Sequence, residues 1–249
     1  MKAMILAAGY GTRLQPLTNH TPKALVEING FPLLQLVIAK LIKTGVDEVI
    51  INTHHFAEQI AAFLHTIDNF GIRVELSHEE EILGTGGGLK KASYFFDDDQ
   101  PFILHNVDIV STIDLKQMYR YHLDKGAMVT LAIQQRETSR GFIVDEQNRI
   151  CGHEDKDNQR TRFARVPQGK TWFMAFCGIH IISPEIFRYM NEAGRFSIID
   201  NYLKLIEQGF PILGFHADEF YWKDIGKIET LEEIQQELNA GIITIKNLI

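Results

Sequence analysis

Residues Met4–Leu25, MILAAGYGTRLQPLTNHTPKAL, decide how the rest of the chain is read. An apolar run that reads as a strand opens into Gly9-Tyr10-Gly11-Thr12-Arg13, and Pro16, Pro22 and Lys23 follow. Glycines at a strand end let the backbone approach a ligand and turn its N–H groups toward an anion. An arginine and a lysine on the same segment add fixed positive charge for more than one phosphate. The segment therefore reads as a triphosphate site that is not a P-loop. A Walker A loop needs Lys-Ser/Thr directly after its last glycine, and here Thr12-Arg13 follows Gly11. A dinucleotide fingerprint needs a third glycine and an immediate helix. That position is Leu14, and the two prolines argue for an extended loop.

Outward from this segment the first half alternates strand and helix patterns. Strands are expected at Ala3–Ala8, Val46–Thr53, Ile72–Ser77, Pro101–Val107 and Met128–Ile133. Helices are expected from Pro32 to Gly45 and at Phe56–Ile67, Leu89–Phe96 and Leu115–Lys125. Apolar strands alternating with helices mean an α/β fold, a Rossmann-like, mostly parallel sheet with helices on both faces. Ligands of such sheets sit beyond the strand carboxyl ends, so Gly9 and Asp108 can meet despite their separation. In the second half, Phe142–Asp145 and Arg149–His153 read as a hairpin. Asp155–Gln168 is polar and basic without periodicity, hence a mobile loop. Trp172–Ile182, Pro211–Phe215 and Phe220–Trp222 read as strands; Pro184–Glu192, Ile198–Gln208 and, last, Thr230–Leu238 read as helices. The expected organisation is a single domain over 1–249. Its nucleotide half covers about 1–135, its acceptor half about 136–228, and a C-terminal helical segment covers 229–249.

Composition restricts the partners. Hydrophobic residues make up 45% and charged residues 23%, ordinary for a globular chain. A net charge of -7 and a pI near 5.8 argue against nucleic acid, which calls for a basic face. The two cysteines, Cys151 and Cys177, form no CxxC, and no HExxH occurs, so neither a disulfide nor a zinc framework is expected. The apolar run after Lys2 is too short for a secretory leader, and no stretch reaches the length of a membrane span. A cytoplasmic protein, monomeric or homodimeric, is expected.

The quoted segment is similar to the nucleotide-binding motif of the sugar-1-phosphate nucleotidyltransferases, LAAG-x-GTRL-x-PLT-x3-PK-x-L. The resemblance continues through Leu83-Gly84-Thr85-Gly86-Gly87-Gly88, the strand ending at Asp108, and Tyr221-Trp222-Lys223-Asp224-Ile225-Gly226. It implies transfer of a nucleotidyl group from an NTP to a sugar 1-phosphate, with release of pyrophosphate. Among family members the short N-acetylmuramate-1-phosphate uridylyltransferases look nearest, so UTP is the expected donor. Mannose- or heptose-1-phosphate guanylyltransferases and phosphocholine cytidylyltransferase are the alternatives. A silent nucleotide-binding regulatory domain is the non-enzyme alternative, though such relatives typically lose the arginine, lysine or aspartates that are present here. At this length the β-helix domain of larger relatives is not expected.

The resemblance also assigns roles. Arg13 grips the leaving pyrophosphate, and Lys23 contacts the α-phosphate or the incoming phosphate, where a point charge follows shifting negative charge. Asp108 joins them at the reacting centre. Magnesium prefers one or two carboxylates plus phosphate oxygens and water, and Asp108 and Asp224 are the expected ligands. Ala8, Gly9, Gly11, Thr12, Glu79, Gly84 and Thr85 complete the nucleotide site. A Glu79 carboxylate only accepts hydrogen bonds, which suits uracil N3–H or the guanine N1–H/N2–H edge. Gly86, Asn106, Gly141 and Gly178 are expected on the sugar-phosphate side, with Lys156 a further candidate that a solvated surface lysine explains as well. The family usually has glycine where Val107 stands, so packing of acceptor or ribose there is expected to differ, with His105-Asn106 compensating.

Overall fold

The computed structural model describes residues 1–249. Along the chain the elements are β1 (Lys2–Leu6), β2 (Glu27–Ile28), β3 (Phe31–Pro32), α1 (Leu33–Thr44), β4 (Glu48–Thr53), α2 (Ala57–Thr66), β5 (Arg73–His78) and α3 (Gly84–Lys91). Next come β6 (Phe102–Asn106), β7 (Ile109–Ser111), α4 (Leu115–Lys125), β8 (Val129–Gln134), β9 (Arg140–Asp145), β10 (Ile150–Asp155), β11 (Arg160–Phe163) and β12 (Thr171–Ile182). The chain ends with α5 (Ile198–Glu207), β13 (Ile212–His216), β14 (Trp222–Asp224), α6 (Ile228–Asn239) and α7 (Ile245–Leu248). The α/β class holds.

Two compact units form, and neither is continuous in sequence. The first contains Met1–Ile82, Leu104–Ile113 and Phe220–Ile249; the second contains Leu83–Ile103 and Asp114–Glu219. In the first unit β1 pairs in parallel with β4, and β4 with β5, with Lys2 opposite Glu48 and Glu48 opposite Arg73. The end of β6 lies beside β1, where Val107 N–H donates to Leu6 C=O. A small antiparallel ribbon joins β7 to β14, Asp224 opposite Ile109. Leu14, Val26, Ile28, Leu33, Leu36, Val110, Ile225, Ile234, Ile243 and Leu248 pack together as a core of this unit. Burial of such side chains contributes about 1.5–3 kcal/mol each.

The second unit is built differently. Strands β11, β10, β9 and β12 pair antiparallel in that order, β12 also pairs antiparallel with β8, and β8 pairs in parallel with β13. The Phe142–Asp145 and Arg149–His153 hairpin forms as β9 and β10. Helix α4 occupies the expected residues, because Asp114 caps Lys116 and Gln117 N–H and Gly126 supplies a left-handed stop.

Six expectations are corrected. The segment after Gly9 is not extended but folds into three 3-10 turns, Thr12–Leu14, Leu17–Asn19 and Lys23–Leu25. Proline fixes φ near the value such turns use, so both prolines serve them. The glycine run is not a loop ahead of a helix at Leu89–Phe96, for α3 runs through Gly84–Gly88 and a 3-10 turn takes Ser93–Phe95. Its glycines are there for contact: a Cβ at Gly87 would lie 2.5 Å from the Gly194 carbonyl oxygen, and one at Gly86 2.3 Å from the Phe196 ring. Asp155–Gln168 contains β11, an edge strand exposed at all four residues and therefore lacking the alternation that marks a half-buried strand. Pro184–Tyr189 is 3-10, not α-helical, and buries only Ile186, too little for an amphipathic stripe. The late strand is Trp222–Asp224, displaced from Phe220–Trp222 by its pairing with β7, which sequence alone did not indicate. Finally α7 follows α6, its Leu248 in the first unit's core.

Candidate functional site

Most of the expected nucleotide and metal residues fall within the first unit. Ala8 is nearly buried at the end of β1, and a Cβ at Gly9 would meet nothing within 4 Å, so the backbone there faces open space. Gly11 has φ of +66°, and its carbonyl accepts from Thr18 Oγ1 at 2.9 Å. Only glycine adopts that conformation without strain. Thr12 and Arg13 then form the first 3-10 turn, and the adjacent Leu14 is buried in the core. Burial of Leu14 fixes where Arg13 can reach.

The two cations and the two aspartates interleave. Lys23 Nζ forms an ion pair with Asp108 Oδ2, both side chains largely buried. A Cβ at Gly226 would lie 2.7 Å from Arg13 Nη2 and 2.7 Å from Asp224 Oδ1. The Arg13 guanidinium and the Asp224 carboxylate therefore share one small space, which the glycine leaves open. Ile225 N–H donates to Asp108 C=O at 2.8 Å, so the ribbon of β7 and β14 brings both aspartates to one end. Val110 and Ile225, in the same core as Leu14, hold that ribbon in place. Two hard carboxylates beside two cations match the donor set that magnesium takes with phosphate oxygens.

Glu79 lies just past β5 and is only 1% exposed. Its Oε1 accepts from Asn52 Nδ2 at 2.7 Å, and Asn52 Oδ1 accepts from Ala7 N–H at 2.8 Å. His54 Nδ1 lies 2.7 Å from the Glu79 carbonyl oxygen, and Tyr10 Oη lies 3.2 Å from His54 Nε2. Asn52, His54 and Gly226 escaped the site reading. Asn52 and His54 stand at the end of β4, already expected to face ligand, and Gly226 closes the Tyr221–Gly226 motif.

Asn106 ends β6, and its carbonyl accepts from His105 Nδ1 at 2.8 Å. His105 is buried, and desolvation lowers its pKa to about 4. Val107 is buried too, so its side chain belongs to the interior. In the second unit, Thr85 Oγ1 accepts from Ile198 N–H at 3.0 Å, and a Cβ at Gly84 would lie 2.7 Å from the Phe196 carbonyl oxygen. Gly84, Thr85 and Gly86 thus hold the segment leading into α5. Gly141 lets the Phe173 ring approach, since a Cβ would come within 2.9 Å of it. Gly178 has φ of +73° where the pairing of β12 with β8 shifts register. Lys156 Nζ sits 3.9 Å from the Phe173 ring centroid, beside a cleft of about 840 Å³ that Arg136 and Ser139 also line.

Residues 2–241 match the family described as Nucleotidyl transferase. The chain belongs to the nucleotidyl transferase family. It is similar to the UTP–glucose-1-phosphate uridylyltransferase of Synechocystis sp., 31% identical over 246 residues covering 92% of this chain and 61% of the relative. The mannose-1-phosphate guanylyltransferase catalytic subunit beta of Xenopus tropicalis is 32% identical over 231 residues, covering 91% of this chain and 61% of the relative. The chain therefore spans about 61% of the length of these curated relatives. Among solved structures, HddC from Yersinia pseudotuberculosis complexed with GMP-PN is similar in fold, with a TM-score of 0.75 at 23% identity over 95% of this chain and 99% of that one. A UDP-glucose pyrophosphorylase complexed with UDP-glucose gives 0.77 at 20% identity over 96% and 98%. These likenesses show the nucleotidyl transferase fold. No helix of the chain is long and apolar enough to cross a membrane.

Proposed function

We propose that the protein transfers a nucleotidyl group from an NTP to a sugar 1-phosphate, releasing pyrophosphate and forming an NDP-sugar. The observation that carries this reading is the interleaving of Arg13 with Asp224 and Lys23 with Asp108 beside the glycine loop. A phosphate oxygen of the sugar phosphate attacks the α-phosphorus of the NTP. The new P–O bond forms as the bond to the bridging α–β oxygen breaks, and both electrons leave with pyrophosphate. Little covalent chemistry is asked of the protein; it aligns two polyanions and neutralises the equatorial oxygens. Arg13 holds the leaving pyrophosphate. Lys23, released from Asp108 as phosphate arrives, follows the charge at the α-phosphate. Asp108 and Asp224 would hold magnesium, which when bound neutralises phosphate oxygens on both substrates.

Ala8, Gly9, Gly11 and Thr12 supply the backbone cradle, with Glu79, Gly84 and Thr85 assigned to the nucleoside. Gly86, Asn106, Gly141 and Gly178 are assigned to the sugar phosphate. UTP is the preferred donor on resemblance, and the relatives named for uridylyl and for guanylyl transfer both support the reaction class. We place the reaction in the cytoplasm, where NTPs are made. Pyrophosphate release over a matrix of NTPs and sugar 1-phosphates tests the reading, with Arg13→Ala and Lys23→Ala as controls. Each variant should lose about two or more powers of ten in turnover, the scale of one preorganised charge contact. Near-normal rates in both folded variants would sink the phosphate-site assignment.

A further inference from the structure

Gly9 and Gly11 flank Tyr10 and give the loop wide backbone freedom, yet the loop is tied down at its entry and at its middle. At the entry Ala7 N–H donates to Asn52 Oδ1 at 2.8 Å. At the middle Tyr10 Oη meets His54 Nε2 at 3.2 Å. Asn52 is the last residue but one of β4 and His54 follows that strand at once, so a single strand end anchors both points. The same two side chains also hold Glu79. Asn52 Nδ2 donates to its carboxylate at 2.7 Å, and His54 Nδ1 reaches its main-chain carbonyl at 2.7 Å.

The proton positions follow from the partners. A carbonyl oxygen only accepts, so His54 Nδ1 carries a proton and donates to Glu79, while Nε2 meets the Tyr10 hydroxyl. Ala7, Asn52, Glu79, His54 and Tyr10 thus form one chain of hydrogen bonds running from the entry of the loop to its middle. Tyr10 itself is 53% exposed, and its ring meets the His54 ring edge-on at 5.4 Å. Core packing therefore does little to hold Tyr10; its ring also meets the His55 ring at 5.9 Å, and its hydroxyl is held by His54.

We propose that His54 and Tyr10 are positioning residues for the nucleoside triphosphate. They act by presetting the glycine loop and Glu79 as one unit before the nucleotide binds. The proposal rests on the reading of this loop as the NTP site. A flexible glycine loop loses conformational freedom when a ligand orders it, and a loop fixed beforehand loses less. The effect belongs to NTP affinity, not to the affinity for the acceptor.

The test uses the full chain with UTP as probe, since UTP is the preferred donor. UTP Kd is measured by calorimetry without acceptor, and KM is measured for each substrate by pyrophosphate release. Tyr10→Phe removes one oxygen from a half-exposed ring and leaves the fold alone; His54→Ala removes both contacts of the imidazole. Tyr10→Phe should raise the UTP Kd and KM about fivefold, the scale of one lost hydrogen bond, and His54→Ala by at least as much, with the sugar-phosphate KM unchanged in both. The double variant should be no worse than His54→Ala alone, because the two residues form one link. An unchanged UTP Kd in Tyr10→Phe, an equal rise in both KM values, or additive losses would each overturn the proposal while the reaction class stands. A wild-type protein that neither binds an NTP nor releases pyrophosphate overturns the functional reading and this proposal with it.

Discussion

Glu79 shows what burial adds to a residue assigned from sequence. A carboxylate that accepts from base N–H groups favours uracil or guanine over cytosine, whose N3 is itself an acceptor. In the structure that carboxylate is already held by Asn52, so its direction is set before any base arrives. Glu79→Ala should raise the NTP KM and blunt base preference. It should also lower stability by about 1–3 kcal/mol, because Asn52 Nδ2 loses its acceptor in a buried place. The measurements are kcat/KM for the four NTPs and a denaturant titration; an unchanged ranking moves base reading to the Ala8-Gly9 backbone. The aspartates carry a second expectation. Asp108→Asn and Asp224→Asn should each abolish divalent-metal-dependent turnover while the fold persists, since each loses a hard anionic ligand. Activity that survives thorough chelation in the wild type would remove the two-aspartate clamp.

Among the elements, the ribbon of β7 and β14 matters most to the site, and it is held by its apolar residues. Val110 and Ile225 pack with Leu14 in one core, so residues within two positions of Arg13, Asp108 and Asp224 are immobilised together. Helix α3 argues the same point for glycine. Three consecutive glycines at positions 86–88 are poor helix formers, by about 1 kcal/mol each against alanine. Gly86 and Gly87 persist because the helix lies against Phe196 and Gly194 more closely than any side chain permits. Gly87→Ala should therefore destabilise the protein by about 1–3 kcal/mol despite better helix propensity, since its Cβ would press on a backbone oxygen. Equilibrium unfolding in urea decides it: a stabilised variant would mean the 194–196 segment yields freely.

At the level of the whole molecule, buried histidines set the response to acid. His122 is held by Thr130 Oγ1 at 3.0 Å and Ser183 Oγ at 3.1 Å, and desolvation lowers its pKa from 6.5 to about 4. His105 is lowered to about 4 as well, again chiefly by desolvation. Both rings are neutral when folded, so between pH 6.5 and about 4 the unfolded chain binds more protons and stability falls with pH. Each ring accounts for about 3 kcal/mol at most, and the loss levels off below the folded pKa. Asp145 acts in a separate window. Burial alone would raise its pKa, but hydrogen bonds from the Arg149 side chain and from Gln168, Arg149 and Gln147 N–H bring it to about 2. Its contribution is complete above the usual carboxylate pKa and is lost only as pH falls toward 2. Urea midpoints at about pH 7, 5.5 and 4 should decline in wild type, and His122→Phe should flatten part of that decline. A flat wild-type profile across this range would contradict the buried neutral histidines.

The sequence by itself determined the glycine loop, the alternating elements of the α/β fold, and the boundaries of α4. Each depends on signals a few residues apart: glycines at a strand end, apolar periodicity, an Asp114 cap and a Gly126 stop. Arg13, Lys23, Asp108 and Asp224 were legible as residue types in recognisable motifs. Only the tertiary structure decided which cation stands beside which aspartate, because that depends on β7 meeting β14 from far along the chain. It alone decided that α3 runs through glycines, since a neighbouring backbone outweighs helix propensity there. It also decided the bond from Tyr10 to His54. Parallel pairing of β1 with β4 brings those strand ends together, and a pairing between distant segments leaves no mark in either one's local pattern.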